Sequence, residues 1–127
     1  MLRICTLDLR PGGVFHYCAQ RPNGAELWGK FVYHEIVPSA RLVCVSSFSD
    51  ETGCSTHNSH ASERPLEILN IWTFQDHGGR TILTGRGVPH VATEAQRIAF
   101  AAGRKALRRG LDGPLNRLAD YLGSIAR

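Results

Sequence analysis

The sequence predicts an α+β domain in which about six antiparallel strands precede one long C-terminal helix. Three observations predict it. Short runs of alternating or β-branched residues follow one another from Leu2 to Gly87, each closed by a turn signal. The period then changes: Phe100, Leu107, Leu111, Leu115, Leu118 and Leu122 recur at spacings of three, four or seven, one stripe of a helix. Finally, 127 residues with 43% hydrophobic and 20% charged content fit a single domain, 1–127, with no interdomain linker or internal repeat.

The first strand spans 2–9 and meets Arg10-Pro11-Gly12-Gly13, a turn whose glycines tolerate positive φ. Val14–Gln20 returns as its hairpin partner. Arg21-Pro22-Asn23-Gly24 is a second hairpin turn, because Asn-Gly between apolar runs suits two residues with φ > 0. Glu26–Val37 is a long strand with two faces: Leu27, Gly29, Phe31 and Tyr33 share one parity, Trp28, Lys30, Val32 and His34 the other. Pro38-Ser39-Ala40 turns the chain into a strand over 41–48. Residues 49–64 are polar and aperiodic, a long loop of the kind that often carries function. Strands over 66–75 and 80–87 flank the Asp76–Gly79 turn, and Val88–Val91 leads to the helix.

Thr93-Glu94-Ala95-Gln96 reads as a capping box opening that helix, which runs to Leu122 and would be on the order of 30 Å or more long. Gly110, Gly113 and Pro114 lie inside it. Proline frees the carbonyl four residues back and clashes with it, so a kink over 110–114 is expected. Termination is not, since Leu111, Leu115, Leu118 and Leu122 stay in phase.

Composition narrows the function. The net charge of +4 is concentrated in Arg97, Arg104, Lys105, Arg108, Arg109 and Arg117. Such a cluster can meet phosphates, but it more commonly forms the solvated face of a helix, and nucleic-acid binding ranks last. Cys5, Cys18, Cys44 and Cys54 lack metal-site spacing, and the first three sit in apolar runs as small core residues. No signal peptide or membrane span is read, which fits a reducing, cytoplasmic setting.

Candidate chemistry is sparse. Arg104 falls on the apolar stripe, aimed at the sheet; it would anchor an acidic head group, pair with a carboxylate such as Glu35, or snorkel to the groove mouth. His57 and His60 are three residues apart, an H-x-x-H spacing without the glutamate of a zinc-protease motif, so no metal is expected. Strand parity puts His16 and His34 on the outer face. No nucleophile–base pair and no phosphate-cradling loop is present, Gly85-Arg86-Gly87 being too strand-bound, and no cofactor is implied.

An ordered series of motifs carries a family resemblance: Asp8-Leu9-Arg10-Pro11-Gly12-Gly13; Trp28-Gly29-Lys30-Phe31-Val32-Tyr33; Glu35-Ile36-Val37-Pro38 with Arg41-Leu42-Val43; Pro65-Leu66-Glu67; Thr73-Phe74; Gly78-Gly79-Arg80-Thr81; and Leu115-Asn116-Arg117-Leu118-Ala119-Asp120-Tyr121-Leu122. Over nearly its whole length the chain resembles the bacterial Hsp90-ATPase-activator-homologue-like branch of the START/Bet v 1 (SRPBCC) helix-grip superfamily. The resemblance implies a curved antiparallel sheet gripping the helix, with a hydrophobic cavity between them. It also implies a strand and two short helices ahead of the Asp8–Gly13 hairpin, whereas Met1 stands only a few residues before Asp8. The strand over 81–87 is therefore expected to be an open edge and the groove uncovered, and a homodimer is the expected remedy.

In such a fold core and pocket wall share one surface. Phe15, Tyr17, Phe31, Tyr33, Trp72, Phe100, Arg104, Leu107 and Leu111 are accordingly the expected ligand-binding residues. The reading is non-catalytic binding of a small hydrophobic or amphipathic ligand. A polyketide-cyclase-like enzyme and a chaperone-associated protein-interaction module are the alternatives.

Overall fold

The turn residues decide where the strands begin. A computed structural model describes residues 2–56 and 65–125 of the chain. Its strands are β1 (Leu2–Leu7), β2 (Val14–Gln20), β3 (Glu26–Val37), β4 (Arg41–Ser49), β5 (Ser55–Thr56), β6 (Glu67–His77) and β7 (Arg80–His90). Helices α1 (Glu94–Ala102) and α2 (Arg104–Ile125) follow. Between β1 and β2, Gly12 adopts φ 83°, and its N–H donates to the Tyr33 carbonyl at 2.7 Å. The Gly13 carbonyl accepts from the Tyr33 N–H at 3.0 Å, which ties the turn to β3, and Gly13 is buried where a Cβ would overlap the Asp8 carbonyl.

All strands join one curled antiparallel sheet in the order β1-β2-β3-β4-β6-β7, with β5 pairing β4. Strand β7 is an edge, as the sequence led us to expect, and β1 is the other. Alternation through the register assigns two faces. Phe15 opposes Phe31, Tyr33 opposes Cys44, Cys44 opposes Asn70, and Asn70 opposes Gly87. These residues share the face that looks at the helices. His16, Cys18, Val43 and Val45 lie on the opposite one.

One expectation, the place of Cys5, is corrected here. Helix and sheet do not form one sealed core. The most buried residues divide between Tyr33 and Cys44 on the helix face and Cys18, Val43 and Val45 on the other. The leucines of the predicted stripe stay partly in water, from 37% exposed at Leu115 to 49% at Leu122. Cys5, expected in the core, is exposed on edge strand β1, where among the described residues no further strand covers it; Cys18 and Cys44 are buried as expected.

The helix begins as read: Thr93 Oγ1 accepts from the Gln96 N–H, and Gln96 Oε1 accepts from the Thr93 N–H at 3.0 Å. Its interruption was not foreseen. The break falls at Gly103, whose N–H is shared between the Ala99 and Phe100 carbonyls, and α2 then runs without termination through Pro114. Strand β7 also continues past Gly87, because Glu67 and Ile68 pair with His90 and Pro89. A tight corner follows, with Val91 at φ 49°. Among the described residues no helix is long and apolar enough to cross a membrane. The predicted loop over 49–64 is described only to Thr56; His57 and His60 lie outside the described residues.

Candidate functional site

Glycines on β7 make the space that the helices roof. Gly85 opposes Trp72 across the β6–β7 ladder, and a Cβ at Gly85 would overlap the Trp72 ring, so the indole lies over the glycine. Gly87 opposes Asn70. A Cβ at Gly87 would meet Ile68 Cγ2 at 3.5 Å, Asn70 Oδ1 at 3.8 Å and Phe100 Cζ at 4.0 Å, so the missing side chain is what keeps that space open.

The result is a cavity of about 420 Å3 between the β6–β7 end of the sheet and the start of the helical segment. Ile68, Asn70, Trp72, Gly85 and Gly87 form its floor, with Arg86 and Val88 between them on β7. Phe100, Arg104, Leu107, Arg108 and Leu111 form its roof. By strand alternation Arg86 and Val88 direct their side chains to the other face, so they contribute backbone. The roof residues of α2 follow i, i+3, i+4, i+7 spacing from Arg104, one helix face.

Of the nine residues expected to bind ligand, the structure brings five together here: Trp72, Phe100, Arg104, Leu107 and Leu111. The other four share the sheet face but not the cavity. Phe15, Tyr17 and Phe31 stack on one another, with ring centroids 5.3 Å apart for Phe15–Tyr17 and 6.0 Å for the other two pairs. Tyr33 is buried beside Cys44. Burial pushes the Tyr33 phenol and the Cys44 thiol up from their ordinary values, so both stay neutral near neutral pH.

Arg104 reaches the cavity as the stripe predicts, but it is exposed, so no buried charge demands a partner. Glu35 pairs instead with Arg41 at 3.5 Å. Arg108 was missed as a site residue because its neighbours Lys105 and Arg109 make it look like solvated surface; its spacing of four from Arg104 was the available signal. The polar residue of the floor, Asn70, donates through Nδ2 to Ser46 Oγ at 2.9 Å and to the Ile68 carbonyl at 3.1 Å. His16 lies away from the cavity, against Trp28, with Nε2 3.1 Å from the Asp50 carbonyl. His34, also outside the cavity, meets His90 edge to face. Among the described residues no group of three or more histidine, cysteine or acidic side chains is placed to hold a metal.

The family model described as Activator of Hsp90 ATPase homolog 1-like protein matches residues 1–123. The chain belongs to that family. Among solved structures, this Hsp90-activator-like chain is similar to protein Ms6760 from Mycobacterium smegmatis, at TM-score 0.65 and 25% identity, over 93% of this chain and 68% of that one. It is also similar in fold to protein NE0264 from Nitrosomonas europaea, at TM-score 0.56 and 21% identity, over 82% of this chain and 61% of that one. No curated protein matches the chain. The sheet, its order and the helix that follows it are thus those of the helix-grip fold.

Proposed function

We propose that this family member binds a small hydrophobic or amphipathic ligand, without catalysis, between β6–β7 and the start of α2. One observation carries the proposal: Gly85 and Gly87 leave the floor of a 420 Å3 cavity without side chains, while Trp72, Phe100, Leu107 and Leu111 line it. That volume lies in the range of small-molecule sites, about 300–1,000 Å3, and the lining is mostly apolar with a few polar groups, as such sites are. The described lining holds no carboxylate, imidazole or thiol to act as acid, base or nucleophile, which weighs for binding over a cyclase-like reaction. Four free cysteines accord with a cytoplasmic setting.

Native mass spectrometry of the purified chain, with and without Gly87→Val, tests the reading. A small-molecule adduct on the native chain that Gly87→Val removes is expected. Adducts unchanged by the substitution would count against this cavity.

A second reading concerns assembly, and the open edge of β7 with the half-exposed stripe of α2 favours it. We propose that two copies associate through these surfaces, because unpaired strand edges and contiguous apolar patches are seldom left in water. Sedimentation at micromolar concentration is expected to show a dimer. A clean monomer would sink this proposal.

A further inference from the structure

The cavity reading, on which this inference rests, leaves the polar end of the ligand open. Arg104 and Arg108 stand one helical turn apart on the face of α2 that roofs the cavity. Like charges at that spacing repel, and a carboxylate nearby would normally offset the repulsion. None does: the ion pairs of the described residues, Arg3–Glu26, Arg10–Asp8 and Arg41–Glu35, all lie elsewhere. Asp112, one turn beyond Arg108, makes no ion pair with it. The described lining contains no acidic side chain at all. On the floor, the Asn70 amide nitrogen donates to Ser46 Oγ and to the Ile68 carbonyl, so that nitrogen is already engaged.

We propose that the groove takes an amphipathic anion. Its apolar body lies against Trp72, Phe100, Leu107 and Leu111, and its carboxylate or phosphate is held by Arg104 and Arg108. Guanidinium groups suit both oxyanions, since their planar donors match two acceptor oxygens at once. Both arginines are exposed at the mouth of the cavity, so the head group keeps part of its hydration and the desolvation cost stays small. The order is apolar end inward, charge outward.

Calorimetric titration of the full chain with decanoate, decyl phosphate and decanol, each below its micelle concentration, tests this. Either anion or both should bind roughly tenfold or more tighter than decanol, as a charge-assisted pair would give. A preference for decanoate over decyl phosphate identifies a carboxylate head group, and the reverse a phosphate. The double variant Arg104→Gln/Arg108→Gln should bring the ratio close to one by weakening the anions far more than decanol. Gly87→Val should weaken all three. Equal binding of decanol and both anions, or an anion preference that survives the double substitution, overturns the head-group assignment and leaves the cavity reading standing. No binding of any probe, or binding indifferent to Gly87→Val, overturns both.

Discussion

Asp50 shows how a single residue of this chain can fix a loop. Its carboxylate accepts from the Thr52 hydroxyl at 2.7 Å, the Cys54 N–H at 3.0 Å and the Thr52 N–H at 2.9 Å, closing the turn after β4. These bonds hold its pKa below the ordinary aspartate value. A depressed pKa in the folded chain means stabilisation that is full above the unfolded aspartate pKa of about 3.9 and is lost as pH falls through the folded value. Asp50→Ala should therefore lower Tm at neutral pH, and its gap from the native chain should narrow as pH drops below about 4. A gap that stays constant down to acid unfolding would contradict the assignment. At this scale the sequence is readable only where the chemistry is local. The Thr93–Gln96 box is written within four residues, whereas the Asp50 turn had no period to reveal it. The partner of Glu35 was equally hidden, because Arg41 reaches it only once β3 and β4 pair.

Strand bounds follow the same logic. β2 and β3 fall at the residues the sequence predicts, since Pro11-Gly12-Gly13 and Asn23-Gly24 leave the backbone few alternatives. β7 outruns its predicted end because its last residues are held by Glu67 and Ile68, far away in sequence. The helical break lies at Gly103, whereas Pro114 sits inside α2. The local signal was a lone glycine after an alanine-rich turn, as helix ends often have. The glycines of β7 were read only as a failed phosphate loop; their part as the floor beneath Trp72 needs the register to be seen. That register makes a prediction. Gly85→Ala puts a methyl group into the Trp72 ring and should destabilise the chain by about 1–3 kcal/mol, the usual cost of overpacking. Urea unfolding measures it. An unchanged midpoint would mean that the indole does not lie over Gly85.

For the whole molecule, motif order alone conveys the fold, because each turn and strand segment stands at a fixed place in the helix-grip series. What it does not convey is how loosely α2 covers the sheet. An apolar stripe reports which side of a helix is greasy, not what meets it. Here Leu115, Leu118 and Leu122 remain more than one-third exposed. A cavity lies at the end where Phe100 and Leu107 approach Gly87 and Trp72, and the aromatic stack of Phe15, Tyr17 and Phe31 is not part of its lining. Ligand binding at that end is the central claim, and a two-dimensional amide NMR titration of the full chain with decanoate tests it most directly. Saturable shifts at the Trp72 indole, Gly85, Gly87, Leu107 and Leu111, with the Trp28 indole unmoved on the opposite face, are the predicted result. No saturable shift at Trp72 and Gly87, or equal shifts at Trp28, would contradict it.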